Sequence, residues 1–232
     1  EAGFLKQIAE VKGKQTKNWT VAAIRELSAR IAQLAGPGPE MISIENHIIP
    51  VGDGAIPVKI LIPIENPLGV IVYYHGGGWV SGSIEEYDTV VRKLAERTSC
   101  AVVIAGYRLA PEHCYPTAVD DSYTALSWAN SHLTAIAGKK VPLIVIGDNA
   151  GGNIAAVIAL QARDRSGPRI ALQVLIYPIT DSDYNRPSYI NPDNEVLLTR
   201  NGMIWYWNQY LPESASRNQS DSSPLQAEDL SK

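Results

Sequence analysis

The residues that could do chemistry lie in two glycine-rich segments. The first, Gly147-Asp148-Asn149-Ala150-Gly151, follows the apolar run Leu143–Ile146 and precedes a small-residue stretch that continues from Asn153. The run reads as a fully buried strand and the stretch as a helix with no polar face in its first turns, so the chain must turn from strand to helix within a few residues. That is the geometry of a nucleophile elbow, G-x-S-x-G, where side chains flanking the apex would collide as strand and helix fold back on each other. The apex here is Asn149, not serine. Asparagine has no hydroxyl to deprotonate and cannot serve as the oxygen nucleophile on an acyl carbon. It does suit the site sterically, because the apex of such an elbow sits at positive φ, where asparagine is enriched.

The second segment is His75-Gly76-Gly77-Gly78-Trp79, directly after the first buried parallel strand. Three successive glycines let the main chain approach a ligand and point several N–H groups the same way, which suits a developing negative charge. Phosphate-binding readings fail on the letters. Counting G-x-G-x-x-G from Gly76 brings Ser81 to the last position, and Ser83 follows Gly82 where a P-loop needs Lys. An oxyanion hole remains.

The elements that must position these segments read as a strand-helix alternation. Near-continuous apolar runs at Val70–Tyr74, Ala101–Ala105, Leu143–Ile146 and Leu172–Tyr177 are separated by helical stretches at about Tyr87–Arg97, Thr117–His132 and Asn153–Arg165. Strands buried on both faces and alternating with helices require a mostly parallel sheet flanked by helices, an α/β fold. Before them, Ile42–Val51 and Ile56–Ile62 flank Gly52-Asp53-Gly54 and predict an antiparallel pair. Residues 1–35 carry two helix patterns, the second with the apolar or stem-burying side chains of Trp19, Ala22, Ala23, Leu27, Arg30, Ile31 and Leu34 on one face, ended by Gly36-Pro37-Gly38-Pro39. Placed ahead of the first strand, they predict a separate layer. After Tyr177 the chain turns polar, a short helix is expected at Met203–Tyr210, and an insertion at the carboxyl end of a parallel strand is where binding sites are built. Trp79, Tyr184, Tyr189, Trp205 and Tyr206 could line a pocket there.

Taken together, HGGGW, YRLAPEH at 107–113 and GDNAGGN at 147–153 resemble the hormone-sensitive-lipase-like branch of the α/β-hydrolases, the bacterial carboxylesterases. LIYPITD at 175–181 and SPLQAEDLS at 223–231 extend the likeness to nearly the whole chain. The resemblance implies an eight-stranded α/β-hydrolase core, of which residues 41–232 form a part incomplete at the C-terminus with an insertion at about 178–215, and an N-terminal helical cap over 1–40. It also implies an oxyanion hole from the N–H groups of Gly76, Gly77 and Ala150, and Ser-His-Asp-type hydrolysis of short-acyl esters. Two departures follow. Asn149 occupies the nucleophile position, so the chain as written is expected to be a hydrolase with little or no activity; a hydrolase-fold protein that binds a small ligand is the alternative. The Asp and His of the family lie beyond the SPLQAEDLS segment on two further strands, so the last strands are expected from a C-terminal segment of the same protein, as a separate chain or as residues outside this one. Asp148 is expected to be an acceptor bracing the turn.

The bulk chemistry narrows the partners. A formal charge of −4 gives no basic footprint for nucleic acid or an anionic membrane. No apolar run approaches the roughly 20 residues that span a bilayer. The opening residues are charged, so no secretory leader is expected. Cys100 and Cys114 do not make a disulfide framework, and a reduced, cytoplasmic setting is expected. His47, His75, His113 and His132 show no metal-ligand spacing, so neither metal nor cofactor is expected. A homodimer is compatible with the sequence.

Overall fold

The computed structural model describes residues 19–191 and 198–230. The first of the two expected N-terminal helices falls outside them. The second is α1 (Val21–Gln33), opened by the Thr20 side chain accepting from Ala23 N at 3.2 Å. A hairpin follows, β1 (Ser43–Val51) and β2 (Gly54–Ile62), paired antiparallel from Val51↔Gly54 to Ser43↔Ile62 across the two-residue turn Gly52-Asp53. The alternation then begins: β3 (Val70–Tyr74), α2 (Asp88–Thr98), β4 (Ala101–Ala105), α3 (Thr117–Ser131), the short α4 (Leu133–Ala137), β5 (Leu143–Asp148), α5 (Ala150–Asp164) and β6 (Ile170–Ile176). The single turn α6 (Pro187–Ile190), α7 (Arg200–Tyr210) and two 3₁₀ turns, Ser214–Asn218 and Pro224–Gln226, complete the described chain.

The six strands lie in the order β1-β2-β4-β3-β5-β6. β4, β3, β5 and β6 are mutually parallel, and the hairpin attaches antiparallel through β2 and β4. β3 and β4 are buried at every position, because helices cover both faces. Val70, Val72 and Tyr74 join the larger core, which contains Leu126 of α3 and Ile154 and Ile158 of α5. Ile71 and Tyr73 face the smaller one, with Val91 and Ala95 of α2. β4 lies on one side of β3 and β5 on the other, so the chain crosses over in both directions from β3. The crevice at the carboxyl ends of β3 and β5 is therefore the topological switch point, where α/β sheets place ligands.

β6 breaks the pattern of burial. Its sequence IALQVLI is as apolar as that of its neighbours, yet Leu172 is 54% exposed, Ile176 37% and the following Tyr177 73%. The side of β6 away from β5 carries no strand among the described residues, and an unpaired apolar edge of this kind is a template for further pairing.

The layer ahead of the sheet is latched to the loops rather than to the strands. Arg25 of α1 donates through Nε to Val80 O at 2.9 Å, through a terminal nitrogen to Ala110 O at 3.2 Å, and to both carboxylate oxygens of Glu112 at 2.9 and 2.7 Å. Trp19 meets Trp205 and Tyr206 of α7 at ring separations of 5.8 and 6.1 Å. No α1 residue is fully buried.

Close packing of β5 against α5 leaves no room at the turn. A Cβ on Gly151 would lie 1.9 Å from Tyr74 O, whereas one on Gly138 would meet nothing within 4 Å. Gly151→Ala should therefore cost about 3 kcal/mol or prevent folding. Gly138→Ala, at φ 71, should cost only about 1 to 2 kcal/mol of backbone strain. Urea denaturation of the two variants checks the contrast, and equal losses would contradict it.

Candidate active site

β5 runs into α5 with a single residue between them, and that residue is Asn149, at φ 52 and ψ −114. This lies outside the wells that L-residues prefer and persists only where the surroundings impose it. The surroundings here are hydrogen bonds on both sides of the residue. Asn149 N donates to Ile176 O at 3.0 Å, and Asn149 O accepts from Ile179 N and Asn153 N, each at 3.1 Å. The end of β6 and the segment after it thus hold the apex in place.

The loop after β3 comes back over this apex. Gly77 at φ 114 and Gly78 at φ 61 turn it, and no side chain fits at the second, where a Cβ would lie 2.3 Å from the Tyr206 ring. The turn aims the main-chain N–H groups of Gly77 and Gly78 at Asn149 Oδ1, at 3.4 and 3.1 Å. Ala150 is buried at the start of α5, and its N–H has no acceptor among the described residues. One sequence expectation is corrected. Gly76 N does not face residue 149; it donates instead to Asp148 Oδ1 at 3.0 Å and to the Tyr87 hydroxyl at 3.1 Å. The donors over the apex are one residue further along the loop, where the chain runs at positive φ from Gly77 through Trp79.

Asp148 joins the two segments. It is 6% exposed and accepts from the Tyr73 hydroxyl at 2.9 Å, from Gly76 N and from the Tyr87 hydroxyl at 3.0 Å. Burial pushes its carboxyl above the usual range against the opposing pull of the two tyrosines and Gly76 N. Burial also drives the Tyr87 hydroxyl well above its ordinary value, so it stays a donor. His75 is a wedge under the same loop. Its Nδ1 lies 2.8 Å from Gly76 O, its ring stacks on Tyr107 at 4.3 Å, and the Tyr107 hydroxyl donates to His75 O at 2.7 Å. Burial holds its pKa down at about 4, so the ring is neutral.

Two cavities adjoin Asn149. One, of about 170 Å³, is lined by Gly77, Gly78, Ile179, Leu198, Met203 and Tyr206. The other, of about 230 Å³, is more polar, with Tyr177, Asp181, Asp183, Arg186 and Tyr189 among its walls. Of the aromatic residues expected at a pocket, Tyr206 and Tyr189 line these cavities. Trp79 does not; it is fully buried, stacked 4.2 Å from Tyr210 and 4.8 Å from Trp207. Tyr184 accepts from Arg217 at 3.0 Å and packs on the core, and Trp205 packs against Trp19 and Tyr206. Large rings fill cores more often than they recognise ligands, and three of these five do so. The apolar walls that sequence reasoning missed, Ile179, Leu198 and Met203, carry no pattern that separates them from core residues.

His47 and His132 sit on either side of Trp128, at 5.3 and 4.3 Å, away from the apex. His113 is exposed in the loop before α3. No cluster of three metal-ligating side chains occurs among the described residues. Both cysteines are free, and no described helix is long and apolar enough to cross a membrane.

Comparison with known proteins agrees with this geometry. A family model described as alpha/beta hydrolase fold matches residues 71–232. Carboxylesterase NlhH of Mycobacterium tuberculosis is 39% identical over 189 residues, which cover 79% of this chain and 59% of that protein. The gibberellin receptor GID1A of Arabidopsis thaliana is 34% identical over 71% of this chain and 50% of its own. The chain thus spans between half and two thirds of the length of these two. Among solved structures, a hyperthermophilic esterase from the archaeon Pyrobaculum calidifontis superposes with a TM-score of 0.87 at 34% identity, over 97% of this chain and 74% of its own.

Two outcomes follow from the buried groups. Asp148→Ala leaves the Tyr73 and Tyr87 hydroxyls without an acceptor and takes from Gly76 N one of its two, and should cost about 3 kcal/mol or more. Asp148→Asn keeps Oδ1 for Tyr73 and Gly76 and should fall within about 1 kcal/mol of the parent, as denaturant midpoints would show. For His75 the folded pKa lies below the unfolded one, so its contribution is complete above about pH 6.5 and is lost as pH falls toward about 4. The loss should amount to roughly 3 kcal/mol, and stability-pH curves of the parent and His75→Gln should diverge in that window by this amount.

Proposed function

The chain belongs to the alpha/beta hydrolase fold family, and from that membership we propose that the protein is a carboxylic ester hydrolase for short-acyl esters whose nucleophile position is held by Asn149. The observation that carries the reading is the convergence of Gly77 N and Gly78 N on an acyl oxygen at the elbow, at 3.4 and 3.1 Å. Donors aimed at that point, joined by the Ala150 N–H, would stabilise the oxyanion of a tetrahedral intermediate. The 170 Å³ cavity beside them has the bulk volume of about six waters, which suits an acyl group of a few carbons.

With serine at position 149, the hydroxyl attacks the ester carbonyl, a His takes its proton and an Asp holds the His. No described His side chain hydrogen-bonds Asn149, and that of His75 is held by Gly76 O and Tyr107, so this reading takes the His and Asp from a segment of the same protein that would add to the open edge of β6. That placement would also cover Leu172 and Ile176. With asparagine no acyl-enzyme can form, and loss of the nucleophile from such a triad costs about 10⁶ in kcat, roughly 8 kcal/mol of barrier. The main-chain donors survive the exchange, leaving about 10³ to 10⁴ over water. The acidic net charge favours no nucleic-acid or anionic-membrane partner.

A second reading, a non-enzyme that keeps the pocket to bind a small ligand, is favoured by one finding. A protein named as a receptor is 34% identical to this chain. The two readings separate on one substitution. Asn149→Ser, in the full-length protein, should hydrolyse p-nitrophenyl butyrate at least about 10³-fold faster than the parent. A gain below tenfold, in a folded full-length variant, would reject the ester-hydrolase reading and leave the ligand-binding one.

A further inference from the structure

Asn149 does more than lack a hydroxyl. Its side chain ends in an acyl oxygen, and that oxygen already receives the N–H groups of Gly77 and Gly78. An amide carbonyl is the same kind of acceptor as the carbonyl of an ester or a carboxylic acid. We propose that Asn149 is a tethered competitor for these donors, and that a short monocarboxylate can occupy the 170 Å³ cavity only as the Asn149 side chain yields them. The inference rests on the reading of Gly77 and Gly78 as acyl-oxygen donors.

Geometry sets both the ligand class and the place. The donor set consists of main-chain N–H groups that meet at Asn149, the residue at the positive end of α5, so an anionic oxygen gains more there than a neutral one. Of the two adjoining cavities, the polar one holds the carboxylates of Asp181 and Asp183, and its Arg186 is already paired with both. An anion is therefore repelled from it. The smaller cavity contains no carboxylate, and Ile179, Leu198 and Met203, which also border the polar one, give it an apolar wall for a short alkyl tail. The competitor is present at every moment because it is covalently attached, so its effect does not dilute away. Two hydrogen bonds of ordinary net strength, one of them long, amount to a factor of about ten in apparent affinity.

The test is a titration of butyrate into the parent, Asn149→Gly and Asn149→Asp, followed by calorimetry. Glycine accepts φ 52 and ψ −114 without strain and frees the donors, so butyrate should bind about tenfold more tightly. Aspartate places a charged oxygen on the same donors and should weaken binding at least tenfold. Equal or weaker binding to the glycine variant would overturn the proposal, as would unchanged binding to the aspartate variant. The ester assay on Asn149→Ser separates this from the reading beneath it. Hydrolysis gained without tighter butyrate binding in the glycine variant defeats the competitor alone. Tighter binding without hydrolysis supports the competitor and counts only against the enzyme.

Discussion

The tight reversal between β5 and α5 is the constraint on which the site depends. One residue separates a buried strand from a buried helix, and the helix passes so close beneath the end of β3 that Gly151 nearly touches Tyr74 O. This closeness forces position 149 into a backbone conformation that costs on the order of 1 to 3 kcal/mol. The cost is offset by what the turn allows. The apex side chain meets the Gly77 and Gly78 N–H groups of the loop that follows β3, and the first N–H of α5 has no acceptor among the described residues. An elbow a residue longer would relax the strain and lose the alignment.

Asp148 makes the two halves of the crevice one unit. Burying a carboxylate costs several kcal/mol, and three charge-assisted hydrogen bonds at about 1.5 to 3 kcal/mol each are of comparable size. Its pKa is displaced upward because desolvation outweighs the hydrogen bonds to the tyrosines and Gly76 N. What it supplies is connection: one side chain at the end of β5 fixes Gly76 of the loop after β3, and with it the direction of the next two N–H groups. The neutral ring of His75, stacked on Tyr107, supports the loop from beneath.

The distribution of burial tells where the molecule is closed and where it is open. β3 and β4, with neighbours on both edges and helices on both faces, expose nothing. β6 has an equally apolar sequence and, among the described residues, one bare edge, and none of its residues is fully buried. Apolar side chains do not bury themselves; a neighbouring element must be there to receive them. The carboxyl end of β6 borders the apex on its β5 side, through the hydrogen bond from Asn149 N to Ile176 O.

What the sequence determined by itself was the architecture and the elbow. Apolar runs alternating with helical periods dictate a covered parallel sheet, Asp53 between glycines dictates the hairpin, and glycines two residues either side of Asn149 dictate a sharp turn, because each of these is a local steric or periodic demand. Only the tertiary structure decided which N–H groups face the apex. Gly76, Gly77 and Gly78 are identical letters, and their directions are set by Asp148, 72 residues away from Gly76. It also decided that Trp79 is core and Tyr206 is wall, since an aromatic ring in the sequence carries no mark of which neighbours will surround it. The placement of Asn149 Oδ1 on the donors of Gly77 and Gly78 belongs to the same class: a contact between two loops, made possible only when β3 and β5 lie side by side.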